Sequence, residues 1–324
     1  MRIKILTTGG TIAMKVDPNT GEVRPVLSGE ELVDAVPGLD AFGEIEVEDV
    51  VNIPSDYMGP GIWKNMAIRL NQFLAEDDVQ GAVVSHGTDT LEETAYFMDL
   101  VVDSPKSVVF TGAQRNASDW DSDGPRNLLD AARIVAAGGA VDAGVMVSLN
   151  GKICAARDAT KTHTHAVETF NSGLKGFLGE VTNKKVVFYH KPLRRLPPFS
   201  VEGMDSNVDI IPMYTGADGK HIEFAVESGA SAIVVQAFGL GNVNDLFYRA
   251  IGDAINKGVV VAISTRVPCG HVFPAYGFDG GGYSLRKLGS IFVGDLSPCK
   301  ARILLMLALG VTRDTEELQE IFDS

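Results

Sequence analysis

Residues 81–102 read GAVVSHGTDTLEETAYFMDLVV, and the order of their parts sets the architecture. GAVVSH (81–86) is a short apolar, β-branched run of strand length. Glycine and hydroxyl residues interrupt it, and TLEETAYFMDLVV (90–102) continues at helical period. A buried strand, a polar turn and a helix in immediate succession form the repeating unit of α/β proteins.

The same alternation extends in both directions. Strand-like runs are IKILTT (3–8), SVVFTG (107–112), GVMVSL (144–149) and KKVVFYH (184–190). SGEELVDAV (28–36) opens with Ser28 and carries Glu31 three positions on, the pattern of a capping box. In GPGIWKNMAIRLNQFLA (59–75), Ile62, Met66, Leu70 and Phe73 fall on one helical stripe. GPRNLLDAARIVAAGG (124–139) has Pro125 at its start and Gly138 near its end, as a helix prefers. Nearly continuous apolar strands alternating with helices predict a parallel sheet covered on both faces.

The pattern breaks over 191–212, KPLRRLPPFSVEGMDSNVDIIP, and then resumes in shorter form. Strand runs SAIVVQAF (231–238), VVVAIST (259–265) and SIFVG (290–294) alternate with helical VNDLFYRAIGDAINKG (243–258) and SPCKARILLMLALG (297–310). The expected organisation is therefore a two-domain α/β chain. A larger N-terminal domain, 1–190, has a mostly parallel sheet with helices on both faces; a linker covers 191–212; a smaller α/β domain covers 213–324.

Composition narrows the function classes. With 324 residues, 45% apolar and 22% charged, the chain has the profile of a soluble globular protein. Its longest apolar runs, such as ILLMLALGV (303–311), are too short to span a bilayer. Met1 leads straight into a strand-like segment, so no secretory leader is expected and the predicted compartment is the cytoplasm. A formal net charge of −14 repels phosphate backbones. The one basic cluster, HKPLRRLPP (190–198), reads as a solvated connector, and nucleic acid is not expected as a partner.

In open parallel sheets, ligands bind beyond the carboxyl ends of the strands. Those ends read TTGGT (7–11), SHGTDT (85–90), TGAQR (111–115) and NGKICAARDATKTHTH (150–165). A threonine hydroxyl needs a nearby proton acceptor to become a nucleophile. A lysine kept neutral by burial or positive surroundings is one such acceptor. Thr88, Asp89 and Lys161 brought together would link hydroxyl, carboxylate and amine as a proton relay. Thr11 follows a glycine pair that lets substrate approach closely, and glycine-turn N–H groups offer donors to an oxyanion. The combination suits acyl transfer from a small amide.

The blocks TGGTIA (8–13), HGTDTLEETAYFMDL (86–100), GPRNLLDA (124–131) and RDATKT (157–162) together resemble the bacterial L-asparaginases, with a further echo in STRVPCG (264–270). The resemblance spans essentially the whole chain. It implies hydrolysis of L-asparagine to L-aspartate and ammonia without cofactor or metal. It also implies that Thr11 is the nucleophile forming a β-aspartyl ester, and that Thr88, Asp89 and Lys161 form a second triad. Gly10, Ser55, Asp56, Thr88, Asp89, Ala113 and Asn244 are the implied substrate-binding positions. Asp89 would hold the α-ammonium, and Ser55 with the backbone near Asp56 and Ala113 would hold the carboxylate and amide. The implied assembly is a homotetramer, a dimer of dimers, with each site completed by a neighbour's C-terminal domain.

Three positions depart from the family pattern. No tyrosine occurs in 14–31, where the family carries one close to the nucleophile. Asp56 stands where the exported enzymes often have glutamine. The neighbour's glutamate that meets the α-amine has no counterpart in CGHVFPAYGFDGGGYSL (269–285); Tyr276 and Tyr283 there are the candidate substitutes for either missing group, the loop tyrosine or the glutamate. Two further readings stay open: a broad glutaminase-asparaginase, and a weakly catalytic sensor of aspartate or asparagine.

Other signals read as structural. DWDSDG (119–124) begins like a calcium loop, but its twelfth position is Asp130 and a helix starts at Pro125. His163 and His165 line a loop, and His86 reads as a buried, hydrogen-bonded histidine. Two S-x-x-K matches, at 284–287 and 297–300, lack companion motifs. Cys154, Cys269 and Cys299 are odd in number and widely spaced, which argues against a disulfide framework.

Overall fold

A computed structural model describes every residue except 17–19, 21, 26, 183–184 and 193–194. It divides into two units, Met1–Pro198 and Phe199–Ser324. The sequence reading of 184–190 as a strand and of 190–198 as a connector falls partly outside the described residues. So does the segment 14–31.

In the first unit, β1 (Arg2–Gly9) leads into a short turn, Thr11–Ala13, and the hairpin β2 (Met14–Val16) and β3 (Val23–Pro25). Next come α1 (Gly29–Asp34), β4 (Glu44–Ile53), α2 (Pro60–Leu74), β5 (Val79–Ser85), α3 (Leu91–Val101), β6 (Ser107–Thr111) and α4 (Gly124–Ala136). The remaining strands are β7 (Val145–Leu149), β8 (Lys152–Ala155), β9 (Thr160–Lys161), β10 (Phe170–Asn171), β11 (Gly179–Thr182) and β12 (Lys185–Phe188). The main sheet has the order β12-β11-β8-β7-β6-β5-β1-β4.

Strands β4, β1, β5, β6 and β7 pair in parallel, and β8, β11 and β12 extend the sheet antiparallel. The reversal is made by Asn150–Gly151, with φ of 49° and 72°. Positive φ at both central residues is the requirement of a two-residue hairpin turn, which Asn-Gly meets at least strain. The parallel edge strand, β4, is absent from the strands read in the sequence. Its EIEVEDVVNI alternates acidic and apolar residues and is only half buried, so it lacks the continuous apolar run of an interior strand.

Ser28 does cap α1 as a capping box, with Glu31 reaching back to the Ser28 N–H. The buried face of α2 is Trp63, Met66, Ala67, Leu70, Phe73 and Leu74. Trp63 thus takes the place expected for Ile62: its ring stacks on Phe97 at 5.2 Å and its Nε1–H donates to Thr94 Oγ1 at 2.9 Å. The other core joins Ile3, Ile5, Val83, Val109 and Met146 to Leu128, Ala131, Ala132 and Val135 of α4. Each such large aliphatic side chain contributes roughly 1.5–3 kcal/mol by leaving water. These two helical layers hold the parallel strands rigid up to their carboxyl ends.

The second unit runs β13 (Val208–Pro212), α5 (Lys220–Glu227), β14 (Ala232–Ala237), α6 (Asp245–Asn256), β15 (Val260–Thr265), α7 (Gly282–Leu288), β16 (Ile291–Phe292), α8 (Pro298–Ala308) and α9 (Thr315–Asp323). Its sheet, β13-β14-β15-β16, is parallel throughout. Helix α8 packs across β13, β14 and β15, while α5 and α6 pack on each other. Residues 208–212, placed in the linker by their Pro-rich context, pair with β14 as an edge strand; Pro212 at its last position ends it. Among the described residues no helix is long and apolar enough to cross a membrane.

Candidate active site

The hydroxyl residues at the strand ends first serve the sheet. Thr8 Oγ1 donates to the Ser85 carbonyl at 3.0 Å, tying β1 to β5, and Thr111 Oγ1 donates to the Ser148 carbonyl at 2.7 Å, tying β6 to β7. Thr7 donates to Asp49, which also accepts the Gly29 N–H at 2.9 Å. These bonds replace backbone partners that strands lose where they end.

Beyond them the chain closes on itself through glycine. Gly9 and Gly10 have φ of 88° and 80°, a region that side chains disfavour. A β-carbon on Gly10 would lie 2.4 Å from the Cα and N of Gly87. One on Gly87 would lie 2.8 Å from the Cβ and Oγ of Ser55. The ends of β1 and β5 therefore meet backbone to backbone, and the Ser55 side chain packs against the Gly87 backbone. Gly10's own N–H donates to the Ile53 carbonyl at 3.2 Å, so what it gives the site is the absence of a side chain.

Thr11 and Thr88 each stand one residue beyond this junction. Thr11 is partly exposed and Thr88 is buried. Lys161, on β9, reaches the same place: its Nζ donates to Thr88 Oγ1 at 2.9 Å and pairs with Asp89 Oδ1 at 2.5 Å. The Asp89 side chain is 63% exposed and that of Lys161 only 16%. A carboxylate facing solvent beside a buried hydroxyl suits recognition of a cationic group entering from outside.

Ser55 is buried, and the Thr90 hydroxyl donates to its carbonyl at 2.8 Å. Asp56, next in the turn, is exposed. Ala113, just after β6, is buried, and Gly124 at the start of α4 approaches both it and Ile12 so closely that a β-carbon there would sit 3.4 Å and 2.8 Å from them. Asn244 lies in the second unit as the N-cap of α6. Its side chain accepts the Phe247 N–H at 2.8 Å and donates to the Ala217 carbonyl at 2.7 Å.

The loop after β6 is held by its own acids. Asp123 accepts the N–H of Arg115 at 2.9 Å and Nδ2 of Asn127 at 3.0 Å, Asp119 accepts from Asn116, and Asp121 pairs with Arg115. Among the described residues no group of three or more His, Cys, Asp or Glu is disposed to hold a metal ion. His163 Nδ1 accepts the Ala166 N–H at 3.0 Å within its own turn. His86 is fully buried with Nδ1 on the Gly87 carbonyl at 2.7 Å, and burial pushes its pKa down from 6.5 to about 4. It is neutral at pH 7, with its tautomer set by that bond.

Residues 2–194 match the family model described as asparaginase, N-terminal, and 207–322 match the glutaminase/asparaginase C-terminal domain. The chain belongs to the asparaginase family. Over 99% of its length it is 38% identical to L-asparaginase 2 of Bacillus subtilis, covering 86% of that protein. It is 37% identical to L-asparaginase 2 of Escherichia coli, again over 99% of this chain and 92% of the relative. The crystal structure of a probable cytoplasmic L-asparaginase from Campylobacter jejuni superposes with a TM-score of 0.91 at 37% identity, covering 100% and 99% of the two chains. The family match covers both units, so the two-domain α/β architecture is that of the asparaginases.

Of the positions expected from sequence, Gly10, Ser55, Thr88, Asp89 and Lys161 are joined by contacts. Gly87 and Gly112 are not among the positions expected from sequence. A β-carbon on Gly112 would lie 2.4 Å from the His86 carbonyl oxygen, so it too keeps strand ends close. Nor are Thr90 and Glu92, which lie within HGTDTLEETAYFMDL; Glu92 accepts the Lys161 backbone N–H at 2.5 Å. Their signal was side-chain polarity in the first turn of an otherwise buried helix.

Proposed function

We propose that the chain hydrolyses L-asparagine to L-aspartate and ammonia through a threonine-bound β-aspartyl intermediate. The observation that carries this reading is the contact of Lys161 with both Thr88 and Asp89 beside the Gly10–Gly87 junction. Full-length relatives named L-asparaginase support the choice of amide.

In this reading, Thr11 Oγ attacks the side-chain carboxamide carbon. Its proton passes through Thr88 to Lys161, which enters the step as the amine and leaves it as the ammonium. Lys161 returns the proton to the departing nitrogen, the C–N bond breaks, and ammonia leaves an ester on Thr11. Water then attacks that ester, giving one proton through the same relay to Thr11 Oγ; its other proton is taken up by the released ammonia as the new carboxyl ionises, and aspartate departs. The atoms balance without a cofactor. Asp89 grips the α-ammonium, and Ser55 and the backbone near Asp56 and Ala113 hold the carboxylate and amide.

A coupled ammonia assay with asparagine and glutamine in parallel tests the proposal. Release from asparagine is expected in the wild type; none at millimolar substrate rejects it. The ratio of kcat/KM for the two amides decides between this reading and a broad glutaminase-asparaginase, the second reading, which the C-terminal family description favours.

We also infer a homotetramer, a dimer of dimers, with neighbouring C-terminal domains completing each site. Tyr276 and Tyr283 are half exposed in the second unit, close in sequence to exposed Phe273 and Phe278. Such aromatic surface is what an interface covers. A monomer by analytical ultracentrifugation at assay concentration contradicts this. The cytoplasm is our assigned compartment, following the Campylobacter jejuni neighbour's name; the Haemophilus influenzae relative is named periplasmic, and cell fractionation distinguishes the two.

A further inference from the structure

Lys161 is placed on weak footing. Its strand, β9, is two residues long and among the described residues pairs with β10 alone, apart from the main sheet. A two-stranded ribbon of that length has little stability of its own. The lysine side chain is long and rich in rotamers, so an unanchored backbone would spread Nζ over many positions.

The anchor is on α3. Glu92, in the first turn, accepts the Lys161 backbone N–H at 2.5 Å. Helix α3 is fixed by Leu91, Ala95, Phe97 and Met98, all fully buried. A carboxylate in its first turn also sits at the positive end of the helix dipole, which favours an anion there. Lys161 is thereby held at both ends by one five-residue stretch. Glu92 holds the main chain, and Thr88 and Asp89 hold Nζ. Thr90 in the same stretch fixes Ser55 through its carbonyl.

We propose that Glu92 is the positioning residue for Lys161, acting as the acceptor that docks β9 on α3. The inference deepens the amidohydrolase reading and rests on it. It predicts that loss of the acceptor displaces Nζ from Thr88 while leaving substrate contacts in place, so turnover suffers more than binding.

The test compares full-length wild type, Glu92→Ala and Glu92→Gln. Glutamine keeps an acceptor oxygen and removes the charge. Amide hydrogen exchange of peptides spanning 157–172 should be faster in Glu92→Ala by about tenfold, with kcat for asparagine lower by about 10- to 100-fold and KM within about threefold. Glu92→Gln should restore both exchange and kcat to within about fivefold of wild type. Unchanged exchange or unchanged kcat in a folded Glu92→Ala overturns the proposal, as does a glutamine variant with slow exchange and the full kcat loss. If Glu92→Ala fails to fold, the glutamine variant against Glu92→Met, of similar length, makes the same comparison. A wild type inert toward asparagine sinks the activity reading alone; exchange then decides the anchor.

Discussion

Gly10 and Gly87 touch through their backbones, with 2.4 Å between the Gly87 Cα and the point where a Gly10 β-carbon would sit. That contact places Thr11 and Thr88, 77 residues apart in the chain, one step beyond a shared junction. Gly10→Ala should therefore cost stability twice, through φ of 80° and through collision with Gly87. Together these amount to about 2–5 kcal/mol in urea unfolding. Ammonia release should fall in parallel at temperatures where the variant is folded. An alanine variant with wild-type stability refutes the tight junction.

Thr11 and Lys161 separate chemistry from folding. Thr11→Ala should cut ammonia release from asparagine by roughly four to six orders of magnitude, as removal of a nucleophile does elsewhere. Its thermal midpoint should stay close to wild type, because the side chain is partly exposed. Lys161→Met should slow turnover without unfolding the protein. Normal activity in Thr11→Ala rejects its assigned role, and parallel loss of midpoint and activity in Lys161→Met marks that lysine as structural.

His86 predicts a stability slope on the acid side. Its pKa is about 4 when folded and 6.5 when solvated, so between these values the unfolded chain binds the extra proton. Stability from keeping this ring neutral is complete above pH 6.5, falls as pH drops toward 4 and levels off below. The loss between pH 7 and pH 5 is about 2 kcal/mol. Urea titrations of wild type and His86→Gln at those two pH values measure it. Equal slopes for the two proteins remove His86 as the cause.

Asp130 makes a prediction far from the chemistry. Its carboxylate is 2% exposed and bridges Arg126, at 2.7 Å, and Arg133, whose guanidinium also lies over the Phe42 ring. Asp130→Ala leaves Arg133 nearly buried without its counter-ion, which costs about 3–5 kcal/mol. Denaturant unfolding should report that loss with kcat unchanged in the surviving folded protein. A loss under 1 kcal/mol, within the range of surface pairs, rejects the buried-pair account.

Local periodicity made most of the architecture legible. Strands such as 81–85 and helices such as 124–136 bury a continuous run or one stripe, and burial writes itself into residue order. Strand 44–53 did not show because an edge strand with one wet face carries glutamates. Strands 152–155 and 179–182 are four residues each, too short to establish a period. The α2 stripe shifted from Ile62 to Trp63 because Thr94 offers the indole N–H a partner, a fact of packing and not of spacing.

By itself, the residue order determined that strands end in threonine, glycine and aspartate, and which family those motifs mark. The resemblance already implied that Lys161 meets Thr88 across 73 positions; only the folded chain decided that Glu92 holds the Lys161 backbone and that Gly87 must have no side chain. The physical reason is range. Helix and strand propensities act between near neighbours, whereas the site is assembled by contacts whose partners are distant in sequence and adjacent only once the sheet has aligned its strand ends.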